Sequence, residues 1–113
     1  MRSIEEVNHE LNCFQPFFDD VWNGFKNFEV RKHDRFFQVS DTLLLREYPY
    51  TNRAVHARII YILDGGQHGI DAEYCVLGLN ILCNVIHCAM CYTWVYSVTY
   101  ELHCSYCYKD VSP

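Results

Sequence analysis

Lys26, Glu29 and Arg31 lie two and three residues apart in the run GFKNFEVRKHDR, Gly24 to Arg35, with Lys32 and Arg35 following closely. A guanidinium grips a phosphate or a purine edge through two parallel hydrogen bonds, and an ammonium acts as a compact point charge. A carboxylate beside them can accept from an exocyclic amine, as carboxylates do with cytosine. Such a cluster builds a local positive field even though the net charge of the chain is −5, because a field follows nearby charges and not the total. Side chains alternate along a strand, so Glu29 and Arg31 are expected on one face and Phe28 and Val30 on the other, with Lys26 at the strand's start. Lys32, on the opposite face, and Arg35, in the next loop, would broaden the positive rim. Tyr48 and Tyr50 would offer stacking surfaces for a base. The competing explanation is a solvated strip of ion pairs, which is common and contributes little to stability.

The second chemistry-bearing pattern is Cys88-Ala-Met-Cys91 followed, twelve residues later, by Cys104-Ser-Tyr-Cys107. Two CxxC pairs can complete a tetrahedral zinc site. Neither pair contains the Gly or Pro that lets backbone amides approach the sulfurs, and YTWVYSVTYELH between them holds no evident turn. Buried thiols in an apolar extension are the simpler expectation. His87 and His103 each precede a cysteine and are possible substitute ligands. The expected cofactor is therefore none, or one structural zinc.

These residues need elements to hold them. His9 to Phe14 reads as a strand, and Pro16 to Asn23 as a helix with Pro16 in its first turn and Gly24 at the left-handed position after its end. Phe17, Phe18, Val21, Trp22 and Phe25 recur at helical spacing and are expected in the core. Asn27 to Lys32, Asp41 to Tyr48, Arg53 to Leu63 and Tyr74 to Leu79 read as further strands. PYTN at Pro49 to Asn52 and Gly65-Gly66 with Gly69 mark the turns. In the longest strand, Val55, Ala57, Ile59, Tyr61 and Leu63 should share a face, with the second half buried on both sides.

With 113 residues, half of them hydrophobic and a fifth charged, the chain has the composition of one globular domain. Its acidity argues against general coating of nucleic acid but not against a small selective site. MRSIEEVNHELN lacks the apolar run of a signal peptide, so a cytoplasmic setting with reduced thiols is expected. From Asn80 to Pro113 the composition shifts to one Lys, one Glu and one Asp, with no Gly. Asn80, Asn84 and His87 interrupt this apolar stretch and flanking cations are missing, so a β-rich extension packed on the domain is expected, not a membrane span.

The segment His9 to Leu79 resembles the ASCH-like branch of the PUA superfamily, closest to an uncharacterised family found in bacteria and their phages. The residues that carry it are HELNCFQPFFDDVWNGFKNFEVRKHDRFFQVSDTLLLREY, then RIIYILDGG and YCVLGL. Ser40 stands where such domains usually have Gly. The resemblance implies an α+β, mostly β fold: a small barrel with one or two short helices over residues 1–79, extended here by the Cys-rich apolar region 80–113. It also implies a cleft between barrel and helix that relatives use for RNA, nucleosides or modified bases.

Some small relatives are amidohydrolases that remove an acyl group from the exocyclic nitrogen of cytidine, with a motif resembling Gly-x-Lys-x-x-Thr-x-Arg and a separate downstream Glu. Gly24, Lys26 and Arg31 match, but Glu29 stands in place of the Thr, and Glu47 and Glu73 are candidates for the downstream acid by type alone. An acid beside Lys26 favours its charged form, which is a poor base. The expectation is thus a binding module for RNA or a nucleotide-like ligand, using Lys26, Glu29, Arg31, Lys32, Arg35 and Tyr48. The alternatives are a nucleoside amidohydrolase built on Lys26 and Glu29, and a protein-interaction or self-association module docking through the apolar tail.

Overall fold

The computed structural model describes residues 7–87 and 94–96. In chain order the elements are β1 (His9–Phe14), α1 (Phe17–Trp22), β2 (Phe28–Lys32), β3 (Thr42–Tyr48), β4 (Arg53–Asp64), β5 (Tyr74–His87) and β6 (Trp94–Tyr96). The strands form one mixed sheet in the order β1-β3-β4-β5-β2, with β6 added to β5. Only β1 and β3 run parallel; the other pairs are antiparallel. The expected mostly β fold with one short helix is observed, but as an open sheet whose path ends at β1 and β2. The two ends approach one another: the Arg31 guanidinium on β2 donates to the Asn12 carbonyl on β1 at 2.6 Å. Side chains, not ladder hydrogen bonds, therefore span the place where a barrel would close.

The main core fills one face of the sheet. Phe18 and Val21 of α1 pack there with Leu11, Leu43, Leu45, Val55, Ile59 and Leu77. A smaller cluster of Leu44, Ala54 and Val85, with Val7, Cys83 and Trp94 against it, covers the other face. This second cluster explains why the first half of β4 is buried on both faces, whereas the sequence suggested its second half. β3 pairs with β4 only over Ala54 to Arg58, so beyond that point β4 has β5 on one side and, among the described residues, no strand on the other.

The expected face of β4 also breaks. A register shift between Ile59 and Tyr61 inserts one extra residue, which turns the following side chains over. Tyr61 is consequently exposed while Ile62 packs on the core. β5 continues to His87, past the expected end at Leu79. Its paired partner drops out at Leu82, where the ladder passes from His56↔Cys83 to Ala57↔Ile81. The change of composition at Asn80 is therefore not a change of element.

Helix α1 has six residues, too few to persist without tertiary support. Buried Phe18 and Val21 hold it from below. A polar clamp holds its start: Arg53 reaches Glu47 with Nε to Oε1 at 3.0 Å and Nη2 to Oε2 at 2.9 Å, and Asp19 with Nη2 at 3.1 Å. Gln15 donates to both Asp19 and Glu47, and Thr51 donates to Glu47 at 2.6 Å. The Arg53 guanidinium also lies over the Phe18 and Trp22 rings. After the helix, Gly24 takes φ +83°, which glycine adopts without a Cβ penalty, and the returning Phe25 and Lys26 amides donate to the Asp20 carbonyl. Ser40 has φ +84°, the same left-handed region, which residues other than glycine uncommonly adopt.

Hydrogen bonds from Arg53 hold the Glu47 carboxyl below its usual range; those from Thr51 and Gln15 add to this, against desolvation. A lowered folded value means stability that is fully present above the ordinary pKa of about 4.5 and is lost as pH falls through the folded one. Glu47→Gln is expected to cost about 1.5–3 kcal/mol at pH 7, the range for hydrogen bonds to charged groups. In urea unfolding the gap from wild type should narrow between pH 7 and pH 3; an equal gap at both would contradict the assignment.

Candidate functional site

On β2 the alternation runs as the sequence suggested, but the usual sense of burial is reversed. Phe28 is 43% and Val30 53% exposed, while Glu29 is 4% exposed. The cause is the pairing with β5, which sets Glu29 opposite Leu77 and Arg31 opposite Cys75, both on the core side. A carboxylate taken out of water costs several kcal/mol unless it is paired, and Glu29 is paired twice. Lys26 Nζ lies 2.8 Å from Oε1, and Arg31 places Nη2 at 2.9 Å and Nε at 3.0 Å from Oε2. The Cys13 thiol on β1 contributes a long contact to Oε1 at 3.9 Å.

This ion triad forms one side of a cleft of about 390 Å³, at the small end of the range for ligand sites, roughly 300–1,000 Å³. The polar lining is Asn12, Cys13, Lys26, Glu29 and Arg31; the apolar lining is Phe14, Phe17, Phe28 and Val30. Phe14 and Phe17 are more than half exposed, as is Phe25 on the adjoining surface. Phe17 and Phe25 were expected in the core with Phe18 and Val21. A six-residue helix has room to bury one narrow stripe, so these two rings instead flank the cleft mouth. Lys26 Nζ sits 4.8 Å from the Phe28 ring centroid, which combines a cation with an aromatic wall.

The other expected site residues divide. Arg35 and Tyr50 line a second, more polar hollow of about 470 Å³, which shares Asn12, Phe14 and Arg31 with the first. Tyr48 packs edge-on between Phe14 and Tyr50 at 5.1 and 5.0 Å, supporting those rings without lining either hollow. Lys32 lies exposed on the opposite face of β2 and lines neither. Glu47 is consumed by the Arg53 clamp, and Glu73 is exposed in the turn before β5, so neither candidate downstream acid lines the cleft. Cys88, Cys91, Cys104, Cys107 and His103 lie outside the described residues. His87 packs against Trp94 at 5.0 Å. Among the described residues no group of three or more His, Cys, Asp or Glu side chains is placed to hold a metal, and no helix is long and apolar enough to cross a membrane.

Asn12, Cys13, Phe14, Phe17 and Phe28 belong to the cleft but were not singled out from sequence. Their membership depends on β1 meeting β2, a contact between the two ends of a sheet that no local pattern encodes. The chemistry they permit is narrow. Burial, and next the Glu29 carboxylate, push the Cys13 thiol up to about 11, with Lys26 and Arg31 opposing. Cys13 is therefore a thiol at neutral pH and not a nucleophile. Among the described residues no hydroxyl side chain lines the cleft.

Cys13 in the native protein at pH 7.5 is expected to react with iodoacetamide at least about a hundredfold more slowly than an unstructured thiol. Glu29→Gln should speed that reaction, because the two cations then act on the thiol unopposed. Peptide mapping of the labelled protein reads both; Cys13 labelling as fast as a reference peptide would refute the described environment.

Residues 8–79, which span β1 to the middle of β5 and include the whole triad, match the family described as a domain of unknown function, DUF3850. A protein of Escherichia phage P2, described as an uncharacterized 12.9 kDa protein in the GpA 3′ region, is 41% identical over 59 residues, covering 50% of this chain and 54% of that protein. The chain thus spans about half the length of the curated relative it matches. With well over half of its length matched by that family's model, the chain belongs to the DUF3850 family.

Proposed function

We propose that the chain is an ASCH/PUA-like binding module that takes an RNA or nucleotide-like ligand in the cleft beside Lys26, Glu29 and Arg31. The observation that carries this reading is the buried Glu29 carboxylate, clamped by two cations beside a cleft with exposed aromatic walls. Replacing such a group by a packed apolar residue is often neutral or stabilising, so stability alone does not account for it. Held rings suit the faces of a base, and a charged edge beside them suits its polar atoms.

The triad assigns different work to its members than spacing alone did. An ionised carboxylate has about four acceptor sites, and Glu29, 4% exposed, already accepts from Lys26 Nζ, Arg31 Nε and, at long range, the Cys13 thiol, with Arg31 Nη2 in ion contact as well. Glu29 is therefore a positioning residue that holds the two cations in place, not the acceptor for an exocyclic amine. Lys26 spends donors on Glu29 and the Phe28 carbonyl and has a third; among the described residues the Arg31 Nη1 donors have no acceptor. The ligand edge that fits them presents acceptors, as a ring carbonyl, a ring nitrogen or a phosphate does. The same occupancy weighs against hydrolysis, since Lys26 Nζ is already committed to Glu29 and the Phe28 carbonyl and Glu29 to the two cations.

Calorimetric titration with the four ribonucleoside monophosphates and a short single-stranded RNA tests the reading. Binding is expected to weaken with salt and by about tenfold or more in Arg31→Ala, the equivalent of one charge-assisted hydrogen bond. No binding at millimolar ligand, or binding indifferent to Arg31→Ala, would overturn it. Cytidine release from N4-acetylcytidine that disappears in Lys26→Ala would replace it with the amidohydrolase, and docking through residues 80–113 would survive Arg31→Ala.

A further inference from the structure

The second hollow lies against the first, with Asn12, Phe14 and Arg31 common to both. Its character differs: where the first is walled by Phe17, Phe28 and Val30, this one is lined by Arg31, Arg35, Glu10 and Tyr50. The acid here is already engaged, since Glu10 accepts from Arg46 at 2.9 Å, and the Arg46 guanidinium lies over the Tyr50 ring, 4.1 Å from its centroid. Arg35 is loosely held, with Nε 3.5 Å from Asp34 and its side chain exposed. Arg31 turns Nε and Nη2 to Glu29 and Asn12, and Nη1 makes no hydrogen bond among the described residues. Together the two hollows are lined by Lys26, Arg31 and Arg35 against Glu10 and Glu29, a local excess of one cation in an acidic chain.

We propose that this hollow takes the phosphate of the ligand whose ring occupies the apolar cleft, with Arg31 at the junction and Arg35 supplying a second guanidinium. The inference rests on the reading above and sharpens it: the ligand is a nucleotide unit, not a free base or nucleoside. Guanidinium and phosphate match in geometry as well as charge. The exposed Tyr50 ring at the far side is then placed for the next base of a strand, where stacking tolerates any sequence.

The test compares the four ribonucleosides, their 5′- and 3′-monophosphates and dinucleoside monophosphates by calorimetry, on wild type and on Arg35→Gln. A phosphate-bearing form is expected to bind about tenfold more tightly than its nucleoside, as a charge-assisted contact implies, and Arg35→Gln should bring that ratio close to one. Arg35 is exposed, so the variant keeps the fold. An increment confined to monophosphates identifies a free nucleotide as the source of the phosphate; one retained in the dinucleoside monophosphates identifies a strand. Nucleoside binding with no phosphate increment, or an increment untouched by Arg35→Gln, overturns this inference and leaves the reading of the cleft standing. Binding of none of these ligands overturns both.

Discussion

The organisation of this molecule depends on one buried carboxylate. Glu29 faces the core side of β2, and a charge in that position is tolerable only because Lys26 and Arg31 reach it from either side. Meeting that demand determines much else. Lys26 must return toward β2 just after α1, which Gly24 permits with its positive φ. Arg31 must extend toward β1, where its remaining hydrogen bond to the Asn12 carbonyl ties the two ends of the sheet path together. The two ends of the sheet are thus held close by a charged side chain, and the space beside that side chain is the cleft.

A second buried carboxylate shows by contrast what a structural acid looks like here. Glu47 receives Arg53 at both oxygens, with Thr51 and Gln15 adding to them. Its network ends on α1 through Asp19, and the Arg53 plane is covered by Phe18 and Trp22. That network fastens a short helix to the sheet, and Glu47 and Arg53 line neither of the two hollows. The Glu29 triad is partnered as fully, yet it borders open space with aromatic rings exposed around it. Two acids of the same type in one small domain thereby do different work, and the surroundings distinguish them where residue type does not.

Much of this was legible in the chain because local rules governed it. Strand alternation put Glu29 and Arg31 on one face, and the Gly24 signal ended the helix where it does end. The parts that were not legible are non-local. The bulge at Ile59 and Tyr61 turned an expected inward tyrosine to solvent, and a bulge leaves no mark in an unbroken apolar run. Phe17 and Phe25 shared helical spacing with core residues, but how many of a stripe's positions are covered depends on how closely the neighbouring strands approach. Tyr48 was expected as a stacking surface for a ligand and instead braces Phe14 and Tyr50. The meeting of β1 with β2, on which the cleft rests, brings together the two ends of the sheet path, and no local pattern in the chain encodes it.

The central claim is that the gap beside the Glu29 triad is the place where this domain receives its ligand. The most direct measurement is a titration of the 15N-labelled protein with ribonucleoside monophosphates, following backbone amide chemical shifts. The account predicts saturable shifts concentrated at Asn12 to Phe17 and Lys26 to Arg31, with little change in the Arg53 to Ala57 half of β4. Saturable shifts that avoid both segments would place the ligand elsewhere and contradict it, and so would none at millimolar nucleotide.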